Sequence, residues 1–128
     1  MPKKKSLDSK KIALLCKKSA DNMKAENTTI LEVRELTTVA DYFVICGGNS
    51  TPQLRAISNE IITAVKEKFN RRPIVNSGSA ESGWIVIDYG SVLVHIFLKP
   101  IREKYSLEEL WSDAPKLENS RRKKKNER

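Results

Sequence analysis

Residues 83–98, GWIVIDYGSVLVHIFL, constrain this chain more than any other stretch. Two apolar runs, 84–89 and 92–98, flank the pair Gly90-Ser91. Runs joined by so short a polar step, with a glycine able to take positive φ, predict an antiparallel hairpin. Side chains alternate between the two faces of a sheet. A two-residue turn at 89–90 or 90–91 then puts Ile85, Ile87, Val92, Val94, Ile96 and Leu98 on one face, aliphatic apart from the neighbouring Tyr89. Trp84, Val86, Asp88, Leu93, His95 and Phe97 fall on the other, and a three-residue loop would swap this parity. The aliphatic face is what a sheet buries against helices. The mixed face suits a docking surface for another macromolecule, or equally a second layer of this chain, since interface cores use the same residue types as half-wet cores.

A chain of 128 residues suits one domain with a real core. Its 39% hydrophobic content is low for a compact fold, and the deficit sits at the ends. Residues 2–5 hold three lysines, and residues 116–128 hold seven basic side chains against Glu118 and Glu127, which together make up the whole net charge of +8. The expected division is a basic N-terminal tail 1–5, a single domain 6–115 and a disordered basic tail 116–128. A dedicated nucleic-acid module would instead cluster its basic residues on the folded face. The tail, with RRKKK at 121–125, favours polyanions through counterion release.

Cys16 and Cys46 form no close-spaced pair, and a single histidine is too few for a zinc set. Buried reduced thiols are expected, with no metal. No apolar run reaches the length of a membrane span. Asp8, Lys10 and Lys11 interrupt what would be the apolar part of a signal peptide. A cytoplasmic protein with no membrane partner is therefore expected.

Along the chain, residues 6–25 predict a helix with Ile12, Leu15, Cys16, Ala20 and Met23 on one stripe. Residues 29–36 alternate weakly, as an edge strand with one wet face does. DYFVIC, 41–46, reads as a central strand covered on both sides. GGNSTP, 47–52, opens a helix to Phe69, capped by Thr51 before Pro52 or by a Ser50–Gln53 box. A short strand at 73–76 and a loop at 77–83 follow. Pro100 ends the sheet, and 101–111 holds one or two helical turns with Ser106 and Glu109 as a capping box. The order predicts an α/β (α+β) fold, a mixed sheet of about five strands with flanking helices.

Two features invite an enzymatic reading. Gly47-Gly48-Asn49-Ser50 joins a buried strand to a helix N-terminus, where backbone N–H groups can hold a phosphate, as in nucleotidyl-transferring enzymes. Such chemistry needs two or three carboxylates on adjacent strands to hold Mg²⁺. Here Asp88 stands alone on its strand, Asp41 begins the other strand at its far end, and the Lys-Ser/Thr ending of a P-loop is missing. His95, the one acid–base candidate, has no nucleophile and orienting acid at suitable spacing. The expectation is a nucleotidyltransferase-like fold without the catalytic carboxylates: no catalytic residue, no cofactor, no enzyme.

DYFVICGGNST (41–51) with Gln53 and Leu54, SGWIVIDYGSVLVHIF (82–97), and Tyr105, Leu107, Glu108, Leu110, Trp111, Asp113 and Ala114 resemble the ribosomal silencing factor (Iojap-like) family. The likeness spans residues 12–114. It implies a non-enzymatic translation repressor that binds the large ribosomal subunit on the protein fourteenth in the large-subunit series. Docked where the small subunit would sit, it keeps the subunits apart when nutrients are scarce; organelle relatives act in large-subunit assembly. The motif positions carried over are Trp84, Asp88, Tyr89, Gly90 and His95, then Arg102, Tyr105, Leu110 and Trp111. Trp84, Val86, Tyr105, Leu110 and Trp111 are the expected apolar centre of the contact, with Asp88 and Glu108 or Glu109 answering basic residues. Gly90 serves equally as a turn, and Tyr105 and Trp111 as pins for a helix. The tail 116–128 lies outside the resemblance, and contact with ribosomal RNA is expected of it. An exposed apolar patch at Trp84 would favour a homodimer of the free protein. The rivals are a nucleotide-binding enzyme using Gly47–Ser50 and a general RNA-binding module.

Overall fold

Gly90 takes φ +90°, and Tyr89 donates its N–H to the Val92 carbonyl at 2.9 Å, so the hairpin turns on Gly90 and Ser91 alone. Trp84 consequently faces Phe97, and Val86 faces His95, which is the parity a two-residue turn predicts. The computed structural model describes residues 2–106, 109 and 111–117, with side chains from residue 8 onward apart from that of Tyr105. The elements are α1 (Pro2–Asn22), β1 (Glu26–Glu32), β2 (Tyr42–Gly48), α2 (Thr51–Phe69), β3 (Val75–Ser79), β4 (Trp84–Asp88), β5 (Val92–Leu98) and α3 (Lys99–Tyr105). The strands form one sheet in the order β1-β2-β5-β4-β3, parallel between β2 and β5 and antiparallel elsewhere. This is the mixed five-stranded sheet with flanking helices that the sequence predicts.

α1 and α2 cover one face. Ile12, Cys16 and Ala20 of α1 and Leu54, Ile57, Ile61 and Val65 of α2 close over Val44, Cys46, Ile87, Val94 and Ile96, all fully buried. Every residue of β2 is buried, as expected of a strand covered on both sides. Burial pushes the Cys46 thiol up to about 12, so it stays protonated and inert.

Several boundaries differ from expectation. α1 begins at Pro2, because Pro is tolerated at the first helical position and lysines are good helix formers, so residues 2–5 continue the helix. β1 ends at Glu32, where the Val33 carbonyl turns back to accept from the Leu36 and Thr37 amides at 2.9 and 3.0 Å. β3 runs on through Ser79, so part of the expected loop 77–83 is strand. Its side chains are all exposed, and backbone pairing with β4 alone defines it. Ser106 stands at the C-terminal end of α3, at φ +48°, its amide bonded to the Arg102 carbonyl.

The two sheet edges are treated differently. Glu32 donates its amide to the Pro115 carbonyl and Leu117 donates to Ile30, both at 2.8 Å, so residues 115–117 line the outer side of β1. The folded part thus reaches at least Leu117. Among the described residues no helix is long and apolar enough to cross a membrane.

A half-open aromatic sheet face

The face turned away from α1 and α2 carries Phe43 and Ile45 from β2, Leu93, His95 and Phe97 from β5, and Trp84, Val86 and Asp88 from β4. By register, Val75, Ser77 and Ser79 of β3 extend it. The segment after β5 folds back over the β1–β2 half of this face. Ile101, Trp111 and Ala114 pack on Leu31, Val33, Phe43, Ile45 and Phe97, with the Trp111 and Phe43 rings perpendicular at 5.3 Å. Among the described residues no segment folds over the other half in this way: Trp84, Val86, Asp88 and Leu93 are half-buried, and Val75 is 47% exposed. The mixed face is therefore part core and part surface, and the boundary runs through its rings.

Those rings are locked together. His95 meets Phe43 edge-on at 5.4 Å and lies parallel to Phe97 at 6.1 Å, and Trp84 leans on Phe97 at 4.8 Å. The Trp84 indole donates Nε1–H to His95 Nδ1 at 3.2 Å. An accepting Nδ1 puts the imidazole proton on Nε2. Burial pulls the His95 pKa down to about 4, so the ring is neutral at physiological pH and remains an acceptor. Trp84 is thus half-buried with its ring orientation already set by His95 and Phe97.

The remaining expected site residues separate into groups. Asp88 is half-buried and its Oδ1 accepts from the Gly90 amide at 2.7 Å, bracing the turn. Tyr89 lies on the helix-covered side, 4% exposed, and its hydroxyl has no hydrogen-bond partner; burial raises its pKa. His95 is 9% exposed and supports the surface from beneath. Arg102 donates Nη1–H to the Glu26 carbonyl at 3.0 Å and Nη2–H to that of Asn27 at 2.7 Å, fastening α3 across the start of β1. Gly47 leaves room for this guanidinium: a Cβ there would lie 3.3 Å from Arg102 Nη1. Trp111 clasps Phe43, and Glu109 is exposed. The Tyr105 side chain, Leu107, Glu108, Leu110 and residues 118–128 lie outside the described residues. Sequence reasoning left Leu93, Val75 and the β3 serines out of the site. Only an apolar residue starting a polar strand marked Val75, and nothing in NSGS signals a sheet face.

The Gly47–Ser50 loop has its phosphate-binding positions occupied from within. Ser50 Oγ accepts from the Gln53 amide at 3.2 Å, and Gln53 Oε1 reaches back to the Asn49 amide at 2.8 Å. This is the expected Ser50–Gln53 box, with its return bond one residue earlier than the usual cap amide. Gln53 Nε2 also donates to the Lys24 carbonyl at 3.0 Å, tying the loop to the end of α1. Gly48 packs against these groups, for a Cβ there would meet Leu54 Cδ1 at 2.8 Å. Gln53→Ala is expected to cost about 1–2 kcal/mol of stability through the lost cap and bridge. Urea unfolding checks this, and an unchanged midpoint would mean the loop holds itself.

Fold and surface together define a two-layer α+β domain in which the described residues cover only part of one sheet face, with an oriented tryptophan at its margin. The model of the family described as "Ribosomal silencing factor during starvation" matches residues 6–128. The chain belongs to that ribosomal silencing factor family. A ribosomal silencing factor of Bacillus subtilis is 38% identical over 109 residues, covering 85% of this chain and 92% of the relative. The mouse protein named mitochondrial assembly of ribosomal large subunit protein 1 is 33% identical over 90 residues, covering 69% of this chain and 40% of the relative. A crystal structure of a Bacillus halodurans protein superposes with a TM-score of 0.74 at 33% identity, covering 86% of this chain and 99% of that one.

Proposed function

We propose that this chain binds the large ribosomal subunit through the open half of its sheet face and, once docked, blocks the small subunit sterically, repressing translation in the cytoplasm. The partner on the subunit is the protein fourteenth in the large-subunit series. Family membership supports the ribosomal setting, and the mouse relative's name supports the large subunit. The observation that carries the reading is the Trp84 ring held by His95 at the edge of a half-buried, partly apolar stretch of sheet face that no described segment folds over. Asp88 on that face and the exposed Glu109 answer basic residues of the partner. The mechanism is occupancy of space, and it asks no chemistry of the internally capped Gly47–Ser50 loop.

The test is gradient sedimentation of purified subunits with added protein. The protein is expected to travel with the large subunit while the joined-ribosome peak falls in proportion to occupancy. Co-migration with intact joined ribosomes would overturn the steric mechanism. In the absence of ribosomes the same face pairs two copies of the chain, and large subunits compete that pairing away.

The basic stretch after Leu117 reaches ribosomal RNA. Deleting 118–128 removes six basic side chains and is expected to flatten the salt dependence of large-subunit binding, each lost phosphate contact lowering the slope by about 0.7–0.9. Titration at several potassium concentrations measures this. An unaltered slope would exclude the contact.

A further inference from the structure

On the outer side of the helical layer, α1 and α2 leave a groove of about 450 Å³ lined by Lys11, Leu14, Leu15, Lys18, Lys68 and Phe69. Leu14 is 41% exposed, turned away from the core that Ile12, Ala13 and Cys16 enter. All three lysines are exposed, and among the described residues no acidic side chain lines the groove. The neighbouring Lys17 is neutralised by Asp21 at 3.0 Å, whereas no ion pair with a described residue answers Lys11, Lys18 or Lys68. The groove therefore has an apolar floor and a rim of one charge sign.

That combination selects its occupant. The chain's own terminus beyond Leu117 is strongly basic and is repelled by the rim. A second copy seated groove to groove sets lysine against lysine. A nucleic-acid backbone answers the lysines but leaves Leu14 and Phe69 wet. An amphipathic helix with an acidic flank satisfies floor and rim together, the helix-in-groove mode of recognition. Lys11 and Lys18 stand two helical turns apart, about 10.5 Å along α1, with Leu14 and Leu15 midway. The complementary helix carries acidic residues seven positions apart on either side of one apolar turn.

We propose that this groove is a second docking site, for an acidic amphipathic helix of a partner protein. It lies on the layer opposite the open sheet face, so both sites can be filled at once.

The probe is a labelled synthetic helix of about four turns, with Glu at positions i and i+7 and Leu at i+3 and i+4, titrated into the full chain by fluorescence anisotropy. Saturable binding is expected, weakened roughly tenfold or more by Lys11→Glu with Lys18→Glu. Leu14→Ser is expected to weaken it as well, and it guards against a fold effect of the charge reversals. Co-sedimentation of these variants with the large subunit should be unchanged, which separates failure of this site from failure of the ribosomal one. Absence of saturable binding, or binding indifferent to all three substitutions, overturns the proposal. So does equal competition by polyuridine or by phosphatidylglycerol vesicles, which would make the groove a general polyanion surface.

Discussion

Val86→Glu is expected to weaken the proposed binding to the large ribosomal subunit by about thirtyfold, equivalent to about 2 kcal/mol, while leaving the chain folded. Val86 sits half-buried on β4 opposite His95, with Trp84 and Asp88 two positions away on the same face. A carboxylate there removes apolar area from the centre of the proposed contact and adds like charge beside Asp88. Val86 belongs to neither of the two buried clusters, the one under α1 and α2 or the one under the C-terminal segment, so the thermal midpoint should barely move. Trp84→Ala should lose as much affinity, but it also frees His95 Nδ1 and uncovers Phe97, so stability falls with it. The pair of variants separates contact from support. Quantitative co-sedimentation with large subunits is the measurement, and wild-type affinity in a folded Val86→Glu protein would exclude this face.

Acid should destabilise the fold through His95. Its folded-state pKa of about 4 lies below the ordinary 6.5, so folding favours the neutral ring and the unfolded chain takes up the proton first. The contribution is complete above pH 6.5, shrinks as pH falls through the interval between 6.5 and 4, and is gone below it. The difference corresponds to about 3 kcal/mol, a substantial part of a small domain's stability. Protonation would also turn Nδ1 from acceptor to donor against the Trp84 indole, which can only donate. Urea unfolding at pH 7 and pH 4.5, for wild type and His95→Gln, isolates this contribution from that of the carboxylates. Equal pH dependence in the two proteins would show that His95 titrates freely.

The sheet was legible where local chemistry decides. The Gly90-Ser91 step set the hairpin register, the unbroken run in β2 announced burial on both sides, and Ser50 with Gln53 marked the start of α2. What escaped depends on distant partners. The polar NSGS of β3 becomes strand only because β4 offers it a ladder. Arg102 looks like a surface cation until the Glu26 and Asn27 carbonyls, some 75 residues earlier, are seen to receive it. Of the candidate site, Trp84, Val86 and Asp88 lie on the partly open face. Tyr89 and His95 were drawn in by motif membership, yet one lies beneath the helices and the other beneath the rings. Alternation assigns a residue to a face. It cannot say how far the chain's own terminus will fold back over that face, and here Trp111 settling on Phe43 divides surface from core.

The strap of residues 115–117 along β1 has one more consequence. It fixes where the cationic terminus departs, four strand spacings or about 19 Å from β4 across the sheet. On the proposed mode of binding, the terminus and the β4 surface would act as separate footholds on one large particle. When one is engaged, the other searches a small tethered volume instead of bulk solution, so two weak grips multiply into avidity. Severing either leaves a complex that forms readily and dissociates fast.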